Sequence, residues 1–331
     1  MNREAVLVTG GCGYIGSHAV LALLDSHYCP VVLDNLTTGS IDSNFEDVPF
    51  YKGDVSDGRL VERIVERHNI SAALHFAGSI IVPESVKDPI KYYENNTLSS
   101  LAFFKVAMKA GIQKFVFSST AAVYGACETG VASEDDPLRP ISPYGWSKLF
   151  TEQMLRDICS SHPNISATVL RYFNVAGADP HGRAGQRNEN ATHLVRMAID
   201  VVTGKRDVLA IYGSDYPTRD GTCERDFIHV SDLANAHLLA LQGMEQNGGY
   251  KIFNCGYGRG ASVLEVVGTL EKIVGKRIPV EQRARRPGDA AKVISDPSRL
   301  RTELCWRPEH EGLDEIIGSA LSWQKHLMAN A

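Results

Sequence analysis

The sequence predicts an α/β protein, a doubly wound parallel sheet followed by a smaller mixed α/β domain. Three observations carry that expectation: short apolar runs alternate with helical stretches as far as residue 173, a glycine-rich turn joins the first run to the first helix, and the rhythm breaks after residue 174. AVLV (5–8) precedes a helix from Tyr14, and PVVLD (30–34) and PFYKGD (49–54) follow as strands. A helix near 58–67 leads to AALHFAG (72–78), and a long helical pattern ends near Lys109. KFVFSS (114–119) is again a strand, a helix begins near Tyr144, and ATVLRYF (167–173) closes the series. Strict alternation of this kind implies parallel strands joined by right-handed crossovers.

Beyond residue 174, loops rich in Gly, Asp and Arg (177–190, 213–226, 283–289) separate shorter pieces. Long polar loops in compact domains usually carry function. The expected division is a cofactor domain over 1–173 and a ligand domain over 174–331, and IHVSDLANAHLLAL (228–241), strand then helix, is a segment that can return to the first sheet.

A chain of 331 residues accommodates two domains. With 44% hydrophobic and 22% charged residues and a net charge of -5, it has the composition of a globular protein and no basic footprint for nucleic acid or a membrane surface. The opening MNREAVLVTGG has too short an apolar run for a signal peptide, and no stretch approaches a membrane span. Seven dispersed cysteines without a CxxC spacing point to reduced thiols in the cytoplasm rather than to disulfides or a metal site.

TGGCGYIG places Gly10, Gly13 and Gly16, with Tyr14 and Ile15 between them, where a strand gives way to a helix. A pyrophosphate needs that arrangement: a tight turn, close backbone approach, and a helix N-terminus whose N–H groups favour negative charge. Asp34 ends the second strand, 18 residues beyond Gly16, close to the position of a carboxylate that accepts ribose hydroxyls. It would repel a 2′-phosphate, so NAD is favoured over NADP. Asp34 also suits a turn before Asn35, and Asp54, followed by Val55, suits the adenine end of a cofactor and a β-turn in KGDVSD equally. The whole first half reads as Rossmann-type.

YGWSK sets Tyr144 and Lys148 four residues apart, on one face of a helix. An ammonium beside a phenol stabilises the phenolate, which makes tyrosine a usable base for an alcohol losing hydride. The same spacing also arises on ordinary amphipathic helices. Thr120 ends KFVFSST, where a doubly wound sheet presents residues to ligands, although Ser118, Ser119 and Thr120 can equally just satisfy the strand end.

TGGxGYIG, LDN (33–35), HFAG, SST-AAVYG, SPYGxSK, RYFN and RDFIHV together resemble the extended short-chain dehydrogenase/reductase superfamily and, within it, the UDP-sugar 4-epimerases. YENN (93–96) and RRPGD (285–289) extend that resemblance across nearly the whole chain. It implies an NAD-binding domain over 1–173, a UDP-sugar-binding domain over 174–331, and interconversion of UDP-glucose and UDP-galactose through a 4-keto sugar in a homodimer. It makes Tyr144 the base, Lys148 the cation that holds Tyr144 and the nicotinamide ribose, and Thr120 the hydroxyl partner. Phe76, Ala77 and Gly78 would line the cofactor, Asn95 would support the lysine, and Tyr172, Phe173 and Asn174 would touch cofactor and sugar nucleotide. His193, Leu194, Ala210 and Tyr212 fall at the uracil, and Arg225, Arg286 and Asp289 at pyrophosphate and ribose. His193 departs from the family's asparagine, and Ile80 replaces a polar residue of some relatives.

A 4,6-dehydratase would need acids directly after Thr120, where this chain has Ala121 and Ala122. Val293 occupies a place where bulkier residues restrict the sugar pocket, which keeps UDP-N-acetylglucosamine and a UDP-pentose open as substrates. A non-catalytic NAD sensor would be expected to lack the hydroxyls or the lysine, and Thr120, Tyr144 and Lys148 are all present.

Overall fold

The first strands are apolar along their whole length because both of their faces are buried. In the computed structural model, which describes residues 4–41, 47–127, 129–189, 191–244, 248–286 and 289–330, β1 (Ala5–Thr9) is followed by α1 (Tyr14–Asp25), β2 (Cys29–Asp34), β3 (Phe50–Lys52), α2 (Gly58–His68) and β4 (Ala72–His75). Then come α3 (Val82–Lys87), α4 (Pro89–Tyr92), a π-helical turn (Tyr93–Leu98), α5 (Ser99–Lys109), β5 (Lys114–Thr120), β6 (Val131–Ala132), α6 (Pro143–Ser161) and β7 (Ser166–Tyr172). The remainder comprises β8 (Asn174–Ala176), α7 (Leu194–Val202), β9 (Leu209–Tyr212), β10 (Glu224–His229), α8 (Val230–Gln242), β11 (Gly249–Cys255) and β12 (Gly260–Ser262). It ends with α9 (Val263–Val274), β13 (Val280–Arg283), β14 (Lys292–Ser295), α10 (Ser298–Glu303) and α11 (Leu313–Ala329). Asn190 of the first polar loop, Pro287 and Gly288 of the RRPGD segment, and the charged residues ahead of Glu4 lie outside the described residues.

One compact unit comprises Met1–Val123, Pro140–Arg171 and Ala234–Phe253. Its seven-stranded sheet has the order β11-β7-β5-β4-β1-β2-β3, with β1, β2, β3, β4 and β5 paired in parallel. The expected doubly wound sheet is present. Chain order reverses between β1 and β4, which opens a crevice beyond their carboxyl ends. Leu7, Val31, Leu33, Phe103, Phe104, Phe115, Phe117 and Leu155 form the core under one face. Local sequence fixes the helix starts: Asp57 accepts the Leu60 N–H at 3.1 Å ahead of α2, and Ser142 accepts the Gly145 N–H at 3.2 Å with Pro143 opening α6.

The other unit comprises Tyr124–Arg139, Tyr172–Leu233 and Asn254–Ala331. It holds the mixed order β12-β10-β14-β6, with β8 paired to β10, and a separate β13-β9 pair. The division at residue 173 is therefore corrected in three places. Residues 124–139 belong to the second unit because β6 pairs with β14. Tyr172 and Phe173 belong there too, and Phe173 N–H donates to Cys255 O at 3.3 Å. Of the segment 228–241, the strand stays in the second unit, whereas α8 from Ala234 rejoins the first, whose sheet is then extended by β11.

Candidate active site

At the crevice, β1 gives way to Gly10, whose φ of +70° is left-handed backbone that glycine adopts freely. Its N–H donates to Leu33 O at 2.9 Å and its carbonyl accepts the Gly13 N–H at 3.1 Å. A Cβ on Gly10 would stand 2.7 Å from the Ala77 nitrogen, and one on Gly16 would fall inside the Gly10 carbonyl. The glycines therefore let the first turn, the start of α1 and the segment after β4 share one small space. No side chain caps α1 at Gly13, and Tyr14 and Ile15 are half-buried on its first turn, so the arrangement suits a diphosphate.

Asp34 lies beside that turn, accepting the Cys12 N–H at 3.0 Å and the Leu36 N–H at 2.8 Å. It is thus a turn residue and also a carboxylate with lone pairs left for ribose hydroxyls. Burial and the Asp34 carboxylate push the Cys12 thiol up to about 12, which keeps it protonated and inert. Asp54 forms a turn with Ser56 and accepts from Asn35 at 3.2 Å, with Val55 buried behind it. Burial acts to raise its carboxyl, but hydrogen bonds from Ser56 and Asn35 outweigh it and hold the carboxyl below the usual range. Across the crevice, Phe76 N–H donates to Thr9 O at 3.0 Å, ahead of Ala77 and Gly78. Glycines that a Cβ would obstruct, an uncapped helix and an adjacent carboxylate together fit a dinucleotide.

The helix α6 buries Tyr144 and Lys148 on one face. Lys148 Nζ donates to Ser118 O at 3.0 Å and lies 4.9 Å from the centre of the Phe117 ring. Burial lowers this ammonium to about 8, against an opposing pull from Glu152. The Tyr144 ring meets Tyr92 edge-on, with centroids 6.3 Å apart. Thr120 is buried at the end of β5, and its Oγ1 accepts the Ala122 N–H at 3.2 Å. Gly145 packs so tightly on this turn that a Cβ would stand 2.7 Å from Ala122 O. Asn95 donates to Ser79 Oγ at 2.8 Å, beside Gly78, where a Cβ would stand 3.7 Å from Lys148 Nζ.

Sequence reasoning missed the residues that hold this face together. Asn96, on the π-helical turn, accepts the Ser79 N–H at 2.7 Å and donates to Ser147 Oγ at 3.0 Å, which ties the Gly78 segment to α6. Glu152 is buried with Arg171 and Ser119. The YENN string signalled Asn96, whereas nothing local distinguishes Glu152 from a surface glutamate.

In the second unit, β10 sets Arg225 opposite Val293 of β14, and Arg225 pairs with Asp289. The Arg286 guanidinium lies 3.9 Å from the centre of the Tyr212 ring, and its hydrogen bond holds that phenol below its usual range. Asp289 N–H donates to Arg286 O at 3.1 Å, so the polar loop, Tyr212, Arg225 and Val293 form one cluster. Ala210 is two residues before Tyr212 on β9, against which α7 packs, and α7 begins with Leu194 after an exposed His193. Asn174 pairs with Phe227. Among the described residues, no group of His, Cys, Asp or Glu is disposed to hold a metal, and no helix is long and apolar enough to cross a membrane.

A glycine turn at a sheet crevice, with a Tyr–Lys pair on the neighbouring helix, defines a dinucleotide-binding α/β protein equipped for acid–base chemistry. The chain belongs to the NAD dependent epimerase/dehydratase family, whose model matches residues 6–256. It is 52% identical to the UDP-glucose 4-epimerase of Azospirillum brasilense over 97% of this chain and 92% of that one. Among solved structures, it matches the UDP-glucose 4-epimerase of Stenotrophomonas maltophila with bound NAD and formylated UDP-arabinopyranose (TM-score 0.96, 34% identity, 99% and 100% covered). It also matches the UDP-Glc/GlcNAc 4-epimerase of Campylobacter jejuni (TM-score 0.86, 44% identity, 98% and 99% covered).

Proposed function

We propose that this protein is a UDP-sugar 4-epimerase that interconverts UDP-galactose and UDP-glucose and retains its NAD between turnovers. The observation that carries this reading is the Tyr144/Lys148 pair on the buried face of α6, with the lysine ammonium held on Ser118 O at 3.0 Å. The Azospirillum relative supports the choice of sugar.

NAD, when bound, supplies the acceptor and donor of hydride at C4. Gly10, Gly13, Tyr14, Ile15 and Gly16 would hold its diphosphate, Asp34 its adenosine ribose, and Phe76, Ala77, Gly78 and Lys148 its nicotinamide end. Tyr144 removes the proton from the sugar 4-hydroxyl and returns it to the same oxygen after the 4-keto sugar has turned over. Thr120 donates a hydrogen bond to that oxygen, and Lys148 keeps the phenolate charge stabilised. In the second unit, the Arg225 and Arg286 forks take diphosphate oxygens, Asp289 meets the ribose, and Leu194, Ala210 and Tyr212 flank the uracil. Ala121 and Ala122 stand where an eliminating enzyme would need acids, which argues against loss of water.

Incubating the protein with UDP-galactose and no added NAD, followed by chromatography, tests the whole proposal. UDP-glucose is the expected product, and unchanged UDP-galactose sinks it.

A second substrate reading is that a small residue at Val293, which pairs opposite Arg225, would leave room for an N-acetyl group. The Campylobacter neighbour, which handles both sugars, supports it. Turnover of UDP-GlcNAc beside UDP-glucose is expected, and its absence refutes this extension. The proposal includes a cytoplasmic homodimer serving galactose metabolism. Free cysteines support the compartment, and exposed Leu98, Leu101, Trp146 and Phe150 on the π-helical turn, α5 and α6 support the dimer. A monomeric mass in sedimentation would refute it.

A further inference from the structure

Glu152 lies one helical turn beyond Lys148 and two beyond Tyr144 on the buried face of α6. Its side chain is 2% exposed and is gripped by an equally buried partner: Arg171 donates from Nε at 3.0 Å and from Nη2 at 2.6 Å. The Ser119 hydroxyl donates to the same carboxylate at 2.5 Å. Ser119 stands between Ser118, whose carbonyl takes Lys148, and Thr120. Three consecutive residues at the end of β5 thus address the lysine, the glutamate and the reacting oxygen assigned above.

We propose that Glu152 is a positioning residue for the Tyr144/Lys148 pair, fixing the end of β5 through Ser119 and facing the Lys148 ammonium with a compensating charge. The proposal rests on the acid–base reading of that pair. A buried ion pair adds little net stability over apolar residues of equal volume, so packing alone does not call for one. Lys148 is faced by Glu152 on its own helix, by His75 from β4, which burial keeps neutral, by the Phe117 ring and Ser118 carbonyl from β5, and by the Gly78 segment that Asn96 holds. Glu152 is faced by Arg171 from β7 and by Tyr250 of β11, whose hydroxyl donates to its backbone carbonyl at 3.2 Å. Glu152 is the charge that counters the desolvation of the lysine.

Two variants separate the two parts. Glu152→Gln combined with Arg171→Met removes both charges and strands neither, while Ser119→Ala cuts the link to β5 and leaves both charges in place. The readouts are the Lys148 15Nζ titration by NMR, assigned by its loss in Lys148→Met, and kcat and KM against pH. In the double variant the Lys148 half-point should fall by about one pH unit, and the alkaline limb of kcat should follow it. In Ser119→Ala the half-point should stay while kcat drops about tenfold with KM nearly unchanged. A wild-type titration in the double variant overturns the electrostatic part, and a wild-type kcat in Ser119→Ala overturns the positional part. Ser119→Ala disturbs no charge, and a wild-type kcat in it overturns Glu152 as a positioning residue even if the double variant does not fold. The titration needs neither cofactor nor turnover, so failure of the epimerase reading would show separately, as UDP-galactose left unchanged by the wild type, and failure of the acid–base reading as turnover surviving in Tyr144→Phe.

Discussion

Lys148 donates its ammonium to the carbonyl of Ser118 at 3.0 Å, two residues ahead of Thr120 on the same strand. A backbone carbonyl cannot be displaced by a rotamer change, so the charge is fixed with respect to the strand end. Desolvation brings this lysine down to about 8, within reach of ordinary assay conditions. The protonated form is the one that stabilises a phenolate, so kcat should fall on the alkaline side with a midpoint near 8. A kcat profile flat to pH 10 would contradict this.

Tyr144→Phe keeps the ring that packs on Tyr92 and deletes only the hydroxyl. Turnover should drop by about 10³-fold or more while bound NAD, released on denaturation and quantified by absorbance, stays at the wild-type level. Retention of near-normal epimerisation would remove Tyr144 from the role of base.

Gly145→Ala tests the tight seat of α6. The added methyl would stand 2.7 Å from Ala122 O and 3.0 Å from Pro140 Cβ, so the helix start must move. A loss of about 1–3 kcal/mol in urea unfolding is expected, with a fall in kcat larger than any change in KM. Wild-type values for both would show that the turn yields freely.

His75 sets an acid limit on stability. Its ring bonds Thr9 Oγ1 at 2.7 Å and Ser100 Oγ at 2.8 Å, and burial, helped by Lys148, brings it down to about 3. Between the ordinary value near 6.5 and about 3, the unfolded chain binds a proton that the folded protein refuses. The stability this site contributes is therefore complete above pH 6.5 and lost as pH falls through that window, by up to about 5 kcal/mol. Urea midpoints between pH 7 and 4 should show a shallower slope in His75→Asn than in the wild type.

The parts of this protein visible in sequence are those with local signals. Alternating apolar runs gave β1, β2, β5 and β7 to within a residue and β4 from its first residue but three residues too long, and TGGCGYIG gave the turn because only glycine fits beside Ala77. The interleaving of the units was hidden because β6 is two residues long and its partner β14 lies some 160 residues on; a pair that brief has no periodicity to read. Glu152 and Arg171 were hidden for another reason. In one dimension Glu152 inside an amphipathic helix and Arg171 near a strand end both look solvated, and only their pairing between α6 and β7 shows that they are buried.

The seven-stranded sheet completes late in synthesis. Its edge strand β11 comes from residues 249–255, after half of the second unit has been translated. A nascent chain stalled before Gly249 would carry β7, buried along nearly its whole length in the finished protein, as a naked edge open to pairing with another ribosome's product. Truncations ending between residues 173 and 248 should therefore accumulate as aggregates rather than as a free-standing nucleotide-binding fragment.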